Sequence, residues 1–228
     1  MGQVLRWVRL CAAMVCAATI LLSAGCGGGG KTRFRFMNAV PDESNLEVLV
    51  NSVSVANNVA FGTSNGYQSV TSGSQQVVIE PSGSSTALLT QSISFSSGSD
   101  TTVIASNFSS NISAFVLTDD NSAPVSGNFK LRIVNSAPGL GPADVYIVAP
   151  ATDLNTVSPT LSNLGFNSAS GYQSLAAGTY EIVLTPVGQK FPAIDTGSLS
   201  FSSGQVRTFV GLNSQSGGFT DTILQDVN

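Results

Sequence analysis

Arg33-Phe34-Arg35-Phe36 alternates cation and aromatic residue by residue, and Lys130-Leu131-Arg132-Ile133 repeats the alternation 97 positions later. A period of two sends one set of side chains to a core and the other to the opposite face, which is the signature of a β-strand. On this pattern Arg33, Arg35, Lys130 and Arg132 are expected to face water. The two segments head a longer correspondence. Phe34-Arg35-Phe36-Met37-Asn38-Ala39-Val40-Pro41 matches Leu131-Arg132-Ile133-Val134-Asn135-Ser136-Ala137-Pro138. Gly66-Tyr67-Gln68-Ser69-Val70 returns as Gly171-Tyr172-Gln173-Ser174-Leu175, an offset of 105. Ser92-Ile93-Ser94-Phe95-Ser96-Ser97-Gly98 returns as Ser198-Leu199-Ser200-Phe201-Ser202-Ser203-Gly204, an offset of 106. The step from 97 to 105 implies an eight-residue insertion in the second copy, around 149–159, and Asp119 then aligns with Asp226.

The chain is therefore one unit written twice. Short alternating runs, with Ser-Gly, Asn-Gly and Pro turn signals every eight to twelve residues, give roughly seven strands per copy and no helical stripe. The expected fold is all-β: two tandem antiparallel β-sandwich domains, immunoglobulin-like or transthyretin-like, after a lipoprotein signal peptide. The expected boundaries are 1–25 for the signal peptide, 26–30 for a lipidated cysteine and glycine tether, and 31–124 and 125–228 for the repeats. Each repeat is expected to hold its own core and fold as a separate unit.

Residues 1–30 have a different character. Arg6 and Arg9 precede an apolar run from Leu10 to Ala24, whose 15 residues fall short of a spanning helix and suit an export signal. Leu22-Ser23-Ala24-Gly25-Cys26 resembles the lipobox of bacterial lipoproteins. That resemblance implies acylation of Cys26, cleavage before it, and attachment of the mature chain to a membrane through an N-terminal lipid. Gly27 in place of an aspartate after the cysteine implies the outer membrane, on its periplasmic or surface face. Cys11 and Cys16 leave with the signal, so no internal disulfide is expected. Without Arg6 and Arg9, seven basic residues stand against 13 acidic ones, a net charge of −6.

Charge and composition exclude several activities. No basic cluster suits a phosphate backbone, so no nucleic-acid partner is expected. Histidine is absent, which removes the commonest general base and zinc ligand. Gly62-Thr63-Ser64-Asn65-Gly66 fits the Gly-x-Ser-x-Gly pattern of serine hydrolases, but no helix follows, and nothing positions Lys31, Lys130 or Lys190 as a base. Asp42-Glu43 and Asp119-Asp120-Asn121 lack the alternating oxygen ligands of a calcium loop and read as solvated turns. Glu47 and Asp144 occupy equivalent positions and read as exposed alternates on strands. Tyr67 and Tyr172 are a candidate sugar-stacking pair, set against a structural role through their hydroxyls. The Asn107 and Asn111 sequons have no bearing behind a bacterial lipobox.

Arg132-Ile133-Val134-Asn135-Ser136-Ala137-Pro138, Ala143-Asp144-Val145-Tyr146 and the Gly171–Tyr180 segment together resemble the bacterial domain-of-unknown-function family 4397. The first copy matches at Ala39-Val40-Pro41-Asp42 and Gly66-Tyr67, with Ser74-Gln75 where Thr179-Tyr180 stand in the second. Many members carry histidine where Asn38 and Asn135 stand. The family implies an exported envelope protein with no assigned chemistry. The expected function is a non-catalytic, lipid-anchored envelope protein, structural or interacting, with no catalytic residue, metal or cofactor. The alternative is a surface lipoprotein that binds a glycan or peptide, or an envelope protein partner.

Overall fold

The computed structural model describes residues 31–226. The signal segment, Cys26 and the glycines that follow it lie outside the described residues. The first half forms β1 (Arg33–Ala39), β2 (Asn45–Val50), β3 (Val53–Ala60), β4 (Gln68–Ser69), β5 (Gly73–Pro81), β6 (Leu89–Phe95), β7 (Asp100–Ser106) and β8 (Ser113–Asp119). The second forms β9 (Asn128–Ser136), β10 (Ala143–Val148), β11 (Leu161–Leu164), β12 (Ser168–Ala169), β13 (Gln173–Ala176), β14 (Gly178–Pro186), β15 (Ile194–Asp195), β16 (Leu199–Phe201), β17 (Val206–Asn213) and β18 (Phe219–Gln225). Among the described residues the only helical pieces are two single 3-10 turns, Ser109–Asn111 and Leu154–Thr156.

Among the described residues, strands pair only within their own half. The first sandwich stacks the sheet β4-β1-β7-β8 on the sheet β3-β2-β5-β6. The second stacks β9, β17, β18 and the short β12 and β13 on β10, β11, β14, β15 and β16. Most pairings are antiparallel, but β1 runs parallel to β7 and β9 parallel to β17. These parallel pairs are the centre of the two inner sheets, and parallel strands are stable mainly where both faces are covered.

Both faces are covered. Phe34 and Phe36 of β1 enter the core of the first sandwich with Val48, Ile79, Phe95 and Val103. Phe129, Leu131 and Ile133 of β9 enter the second with Val145, Leu184, Phe201 and Phe209, and Phe129 stacks on Phe201 at 4.4 Å between centroids. Beyond Arg33, the alternate residues do not reach water. Met37, Ala39, Ile104 and Leu117 of the first half pack against Val134, Val210, Leu212 and Leu224 of the second, forming a third core between the sandwiches. The expected exposure of Arg35, Lys130 and Arg132 is thereby corrected, since they are 2%, 8% and 3% exposed, while Arg33 is half-buried. Alternation reports that a strand has two faces; it carries no information about a second sheet laid over one of them.

The β1–β2 and β9–β10 turns are fixed by the same device. Asn38, wholly buried, accepts the Val40 N–H at Oδ1 and donates from Nδ2 to the Glu43 and Val59 carbonyls. Asn135 accepts the Ala137 N–H and donates to the Gly141 and Leu164 carbonyls. Each side chain stitches a turn to a neighbouring strand and is satisfied at both ends. The copies differ most after their second strand. Asn51 and Ser52 make a two-residue hairpin with φ of 49° and 66°, the left-handed pair that a type I′ turn requires. Residues 149–160 replace that turn in the second copy. Leu154 and Val157 from this insertion cover Tyr146 and Val183, and Lys190 Nζ clamps the Tyr146 hydroxyl and the Val157 carbonyl. Glu47, half-buried, accepts the Ser54 hydroxyl at 2.5 Å. Asp144 departs from its expected exposure: it is buried and accepts the Asn163 and Gly188 N–H groups at 2.9 and 2.8 Å.

Candidate functional site: a closed ring of charged side chains between the sandwiches

The polar alternates of the two inner sheets meet at one end of the shared core. Arg35 projects from β1, and its Nη2 pairs with Asp226, just past β18 in the other sandwich. Its Nη1 donates to the Gln225 carbonyl at 2.9 Å, and its Nε donates to Thr102 Oγ1 on neighbouring β7 at 2.8 Å. Thr102 passes the chain on by donating to Asp119 Oδ2 at 2.6 Å. Asp119, the last residue of β8, receives Arg132 Nη2 from β9 at 2.6 Å. Arg132 Nη1 donates to the Thr118 carbonyl at 3.1 Å, and its Nε donates to Thr208 Oγ1 on β17 at 3.2 Å. Thr208 donates to Asp226 Oδ2 at 3.2 Å, which closes the ring.

The ring runs Arg35, Thr102, Asp119, Arg132, Thr208, Asp226 and back to Arg35. By the internal repeat these are the same three residues taken twice, so the ring has a pseudo-two-fold axis. Each arginine neutralises the aspartate of the other copy. The guanidinium forks are planar donors that can satisfy a carboxylate and a carbonyl together, which lysine could not do in this geometry.

Tyr67 and Tyr172 complete the arrangement. Tyr67 donates its hydroxyl to Asp119 at 2.6 Å, and Tyr172 donates to Asp226 at 3.1 Å. The Arg35 and Arg132 guanidinium carbons lie 4.9 and 4.7 Å from the respective ring centroids. Arg33 and Lys130 approach the same rings at 5.4 and 5.2 Å. Burial is the main cause that pushes both tyrosine hydroxyls up from the ordinary phenol value, so both stay neutral donors. For Arg35, burial opposes the charge but the nearby Asp226, Tyr67 and Asp119 outweigh it, so the guanidinium is held more firmly protonated. Of the expected structural and sugar-stacking roles for the tyrosines, the geometry supports the structural one.

The reading of Asp119-Asp120-Asn121 as a solvated turn is corrected at its first residue. The Asp119 carboxylate has no solvent exposure, whereas Asp120 is 58% exposed and pairs with Lys130 at 2.8 Å. The Lys130 and Ser122 contacts hold the Asp120 carboxyl down to about 2. Burial pushes Asp100 upward, but hydrogen bonds from Arg33 and Asn121 outweigh it and hold that carboxyl below the usual range. Asp42 accepts the Ser109 N–H and hydroxyl in an exposed turn.

Gly62–Gly66 is a loop beside β18, held along β1 by hydrogen bonds from the Gly62 N–H to the Asn38 carbonyl, the Asn38 N–H to the Thr63 carbonyl and the Asn65 N–H to the Phe36 carbonyl. No α-helix follows it. Asn65 accepts the Phe36 N–H at 2.6 Å, as Ser170 accepts the Ile133 N–H in the second copy, so the segment holds an inner-sheet edge. Lys130 and Lys190 are both engaged elsewhere. Among the described residues no group of three or more Asp, Glu, Cys or His could hold a metal ion. What the ring can do chemically is hold: every charged group in it is buried and answered by a charged partner.

Sequence reasoning missed Arg35, Arg132, Thr102 and Thr208. The signal was present in the repeat itself, which keeps these polar residues at equivalent positions while their apolar neighbours change.

The fold defines a tandem double β-sandwich whose halves share a buried polar ring. Residues 32–146 match the family described as "Domain of unknown function (DUF4397)". The chain belongs to this family. The match takes in the whole first sandwich and continues through β9 into β10. No curated protein sequence matches the chain. Among solved structures, the C-terminal domain of AlgF from P. aeruginosa is similar at 10% identity and a TM-score of 0.29, covering 44% of this chain and 98% of its own. A family 26 carbohydrate-binding module of Eubacterium rectale Amy13K, solved with maltoheptaose, has 10% identity and a TM-score of 0.28, covering 86% of this chain and 97% of its own. An α-glucan-binding streptococcal virulence factor has 8% identity and a TM-score of 0.28, covering 84% and 97% respectively. Likenesses of this strength carry no argument about what this chain binds.

Proposed function

We propose that this protein is a non-catalytic, lipid-anchored component of the bacterial cell envelope, held at the outer membrane through Cys26. Its two sandwiches act as one body that serves as a spacer or interaction module. The observation that carries the reading is the closed ring. Its two arginines, two aspartates and two threonines, with two tyrosines against it, are committed to cohesion between the halves. The lipobox-like Leu22–Cys26 segment supports the anchor, and two acyl chains are enough for stable membrane attachment. Nothing in the packing of Tyr67 and Tyr172 favours the glycan-binding alternative, because both rings lie against guanidinium groups.

The test is the mass and membrane partitioning of the full chain made in a bacterial host. The mature protein is expected to begin at Cys26, carry a diacylglycerol mass and enter the detergent phase. Cys26→Ser should abolish the lipid mass and leave the protein in the aqueous phase. A mature N-terminus at another residue, without lipid, overturns the anchor.

A further inference from the structure

The end of the first sandwich from which the chain leads back to Cys26 has a surface unlike the opposite end. Arg33 opens β1 opposite Ser69 of β4 and Asp100 of β7, so the starts of β1 and β7 share this end with β4. Thr32 is fixed there by the Val70 N–H on its carbonyl and by the Ser96 carbonyl and Gly98 N–H on its hydroxyl. The β2–β3 hairpin tip lies at the same end, because Val50 pairs with Val77 near the start of β5, and Gly73 pairs with Phe95 at the end of β6.

Val53, Val55, Val70 and the buried Val50, together with polar residues such as Ser69 and Gln75, line a groove of about 230 Å³ at this end, and Val53 is 63% exposed at its lip. Val125, 73% exposed, lies in the connection between β8 and β9, which starts and finishes at this end. Asp100 is answered by Arg33, Asp120 by Lys130, and Asp119 and Asp226 within the ring, while Glu47 beside Val53 is held by the Ser54 hydroxyl. Lys31 is exposed beside them. Asp42 and Glu43, by contrast, occupy the β1–β2 turn at the far end, together with the exposed Phe108 between β7 and β8.

We infer that this end rests on the bilayer that carries the anchor, with Val53 and the valine groove inserted among lipid headgroups. The inference rests on the lipid-anchor reading. Five residue steps separate Cys26 from Lys31, and a chain spans at most ~3.6 Å per residue, so this end stays within roughly 18 Å of the acylated cysteine. Exposed valines suit an interface in which apolar side chains leave water, and the ion-paired Asp100 and Asp120 limit repulsion from anionic headgroups there. The acidic far end is then turned away from the membrane.

The experiment uses the full chain, processed and lipidated in a bacterial host, with Val53→Cys or Phe108→Cys carrying an environment-sensitive fluorophore. The acylated Cys26 thiol cannot react, so each variant has one labelling position. The protein is reconstituted into phosphatidylethanolamine–phosphatidylglycerol vesicles containing nitroxide-labelled lipid. The label at position 53 should be quenched several-fold more than the label at 108. A Val125→Cys label should also be quenched, and adding Val53→Asp should cut that quenching by about half. Equal, weak quenching at 53 and 108 in protein that floats with the vesicles overturns the docking and leaves the anchor standing. Protein that does not float, and whose Cys26 takes up the fluorophore, overturns the anchor and the docking with it.

Discussion

Arg35→Met isolates the energetic content of the ring. The Asp226 carboxylate has no solvent exposure, and after the substitution it keeps the Tyr172 and Thr208 hydroxyls, at 3.1 and 3.2 Å, and the electrostatic attraction of Arg207. Two hydroxyls do not replace a guanidinium opposite a buried charge. Removing one partner of a buried ion pair costs about 3–5 kcal/mol, because the remaining charge is left desolvated. Whole-domain stabilities are about 5–15 kcal/mol, so this one change is a large fraction of the total. For a chain of this size 1 kcal/mol moves the melting point by about 2–4 °C, which puts the expected fall at roughly 6–20 °C.

The assay is equilibrium denaturation of residues 31–228, followed by circular dichroism and by tyrosine fluorescence, since Trp7 lies in the signal segment. The full cycle adds Asp226→Leu and the double variant. Removing both charges together should recover most of the loss, because replacing a buried pair with apolar groups is often near neutral. A coupling energy of about 2 kcal/mol or more is therefore expected. The equivalent change Arg132→Met should behave in the same way through Asp119. If Arg35→Met lies within about 1 kcal/mol of the parent, or if the two changes simply add, the ring is not a clamp and the reasoning fails.

Three further outcomes follow from local geometry. Ser52→Gly should raise stability by about 1 kcal/mol in urea denaturation, because Ser52 holds a φ of 66° that glycine adopts freely. Asn135→Ala should lower stability by about 2–3 kcal/mol, since the Ala137 N–H and the Gly141 and Leu164 carbonyls lose their shared partner. Burial, and then the neighbouring Asp195, push the Asp221 carboxyl above its ordinary value, so its favourable contribution is present in acid and lost as pH rises. Asp221→Asn should accordingly raise the melting point at pH 7 and make no difference near pH 3, as a melting series would show.

The duplication and the all-β architecture were legible because they rest on local chemistry. Phe34 and Phe36 alternate with cations, Gly-Tyr-Gln-Ser recurs, and Asn65-Gly66 and Ser97-Gly98 punctuate the strands. The charged ring was not, for a physical reason. An arginine between two phenylalanines on a strand looks the same whether its face meets water or a second sheet. Asp119 and Asp144 were misjudged for the same cause: burial of a polar strand residue depends on what is laid over it, and that is a long-range property. The parallel pairing of β1 with β7 and of β9 with β17 was equally invisible, because register between strands more than 60 residues apart leaves no mark on either.

The ring also explains why a repeat of this kind suits being joined. Each copy presents an arginine near the start of its first strand and an aspartate at the end of its last, and the pseudo-two-fold axis sets each against the complement on the other. A face with that property is self-complementary, as an isologous dimer interface must be. On its own, one sandwich would leave Arg35 without Asp226 and Met37, Ile104 and Leu117 without cover. Two separate chains would have to find each other before those groups were answered. The connection from Asp120 to Gly127 makes the encounter intramolecular, at an effective concentration in the millimolar range for a short link. Divergence between the copies has then been free to act on the outer sheets, where the second gained the 149–160 cover over Tyr146 and Val183 and the first kept the bare valine tip. The inner sheets had no such freedom, because a change at Arg35 or Asp119 on one side is felt by its partner on the other.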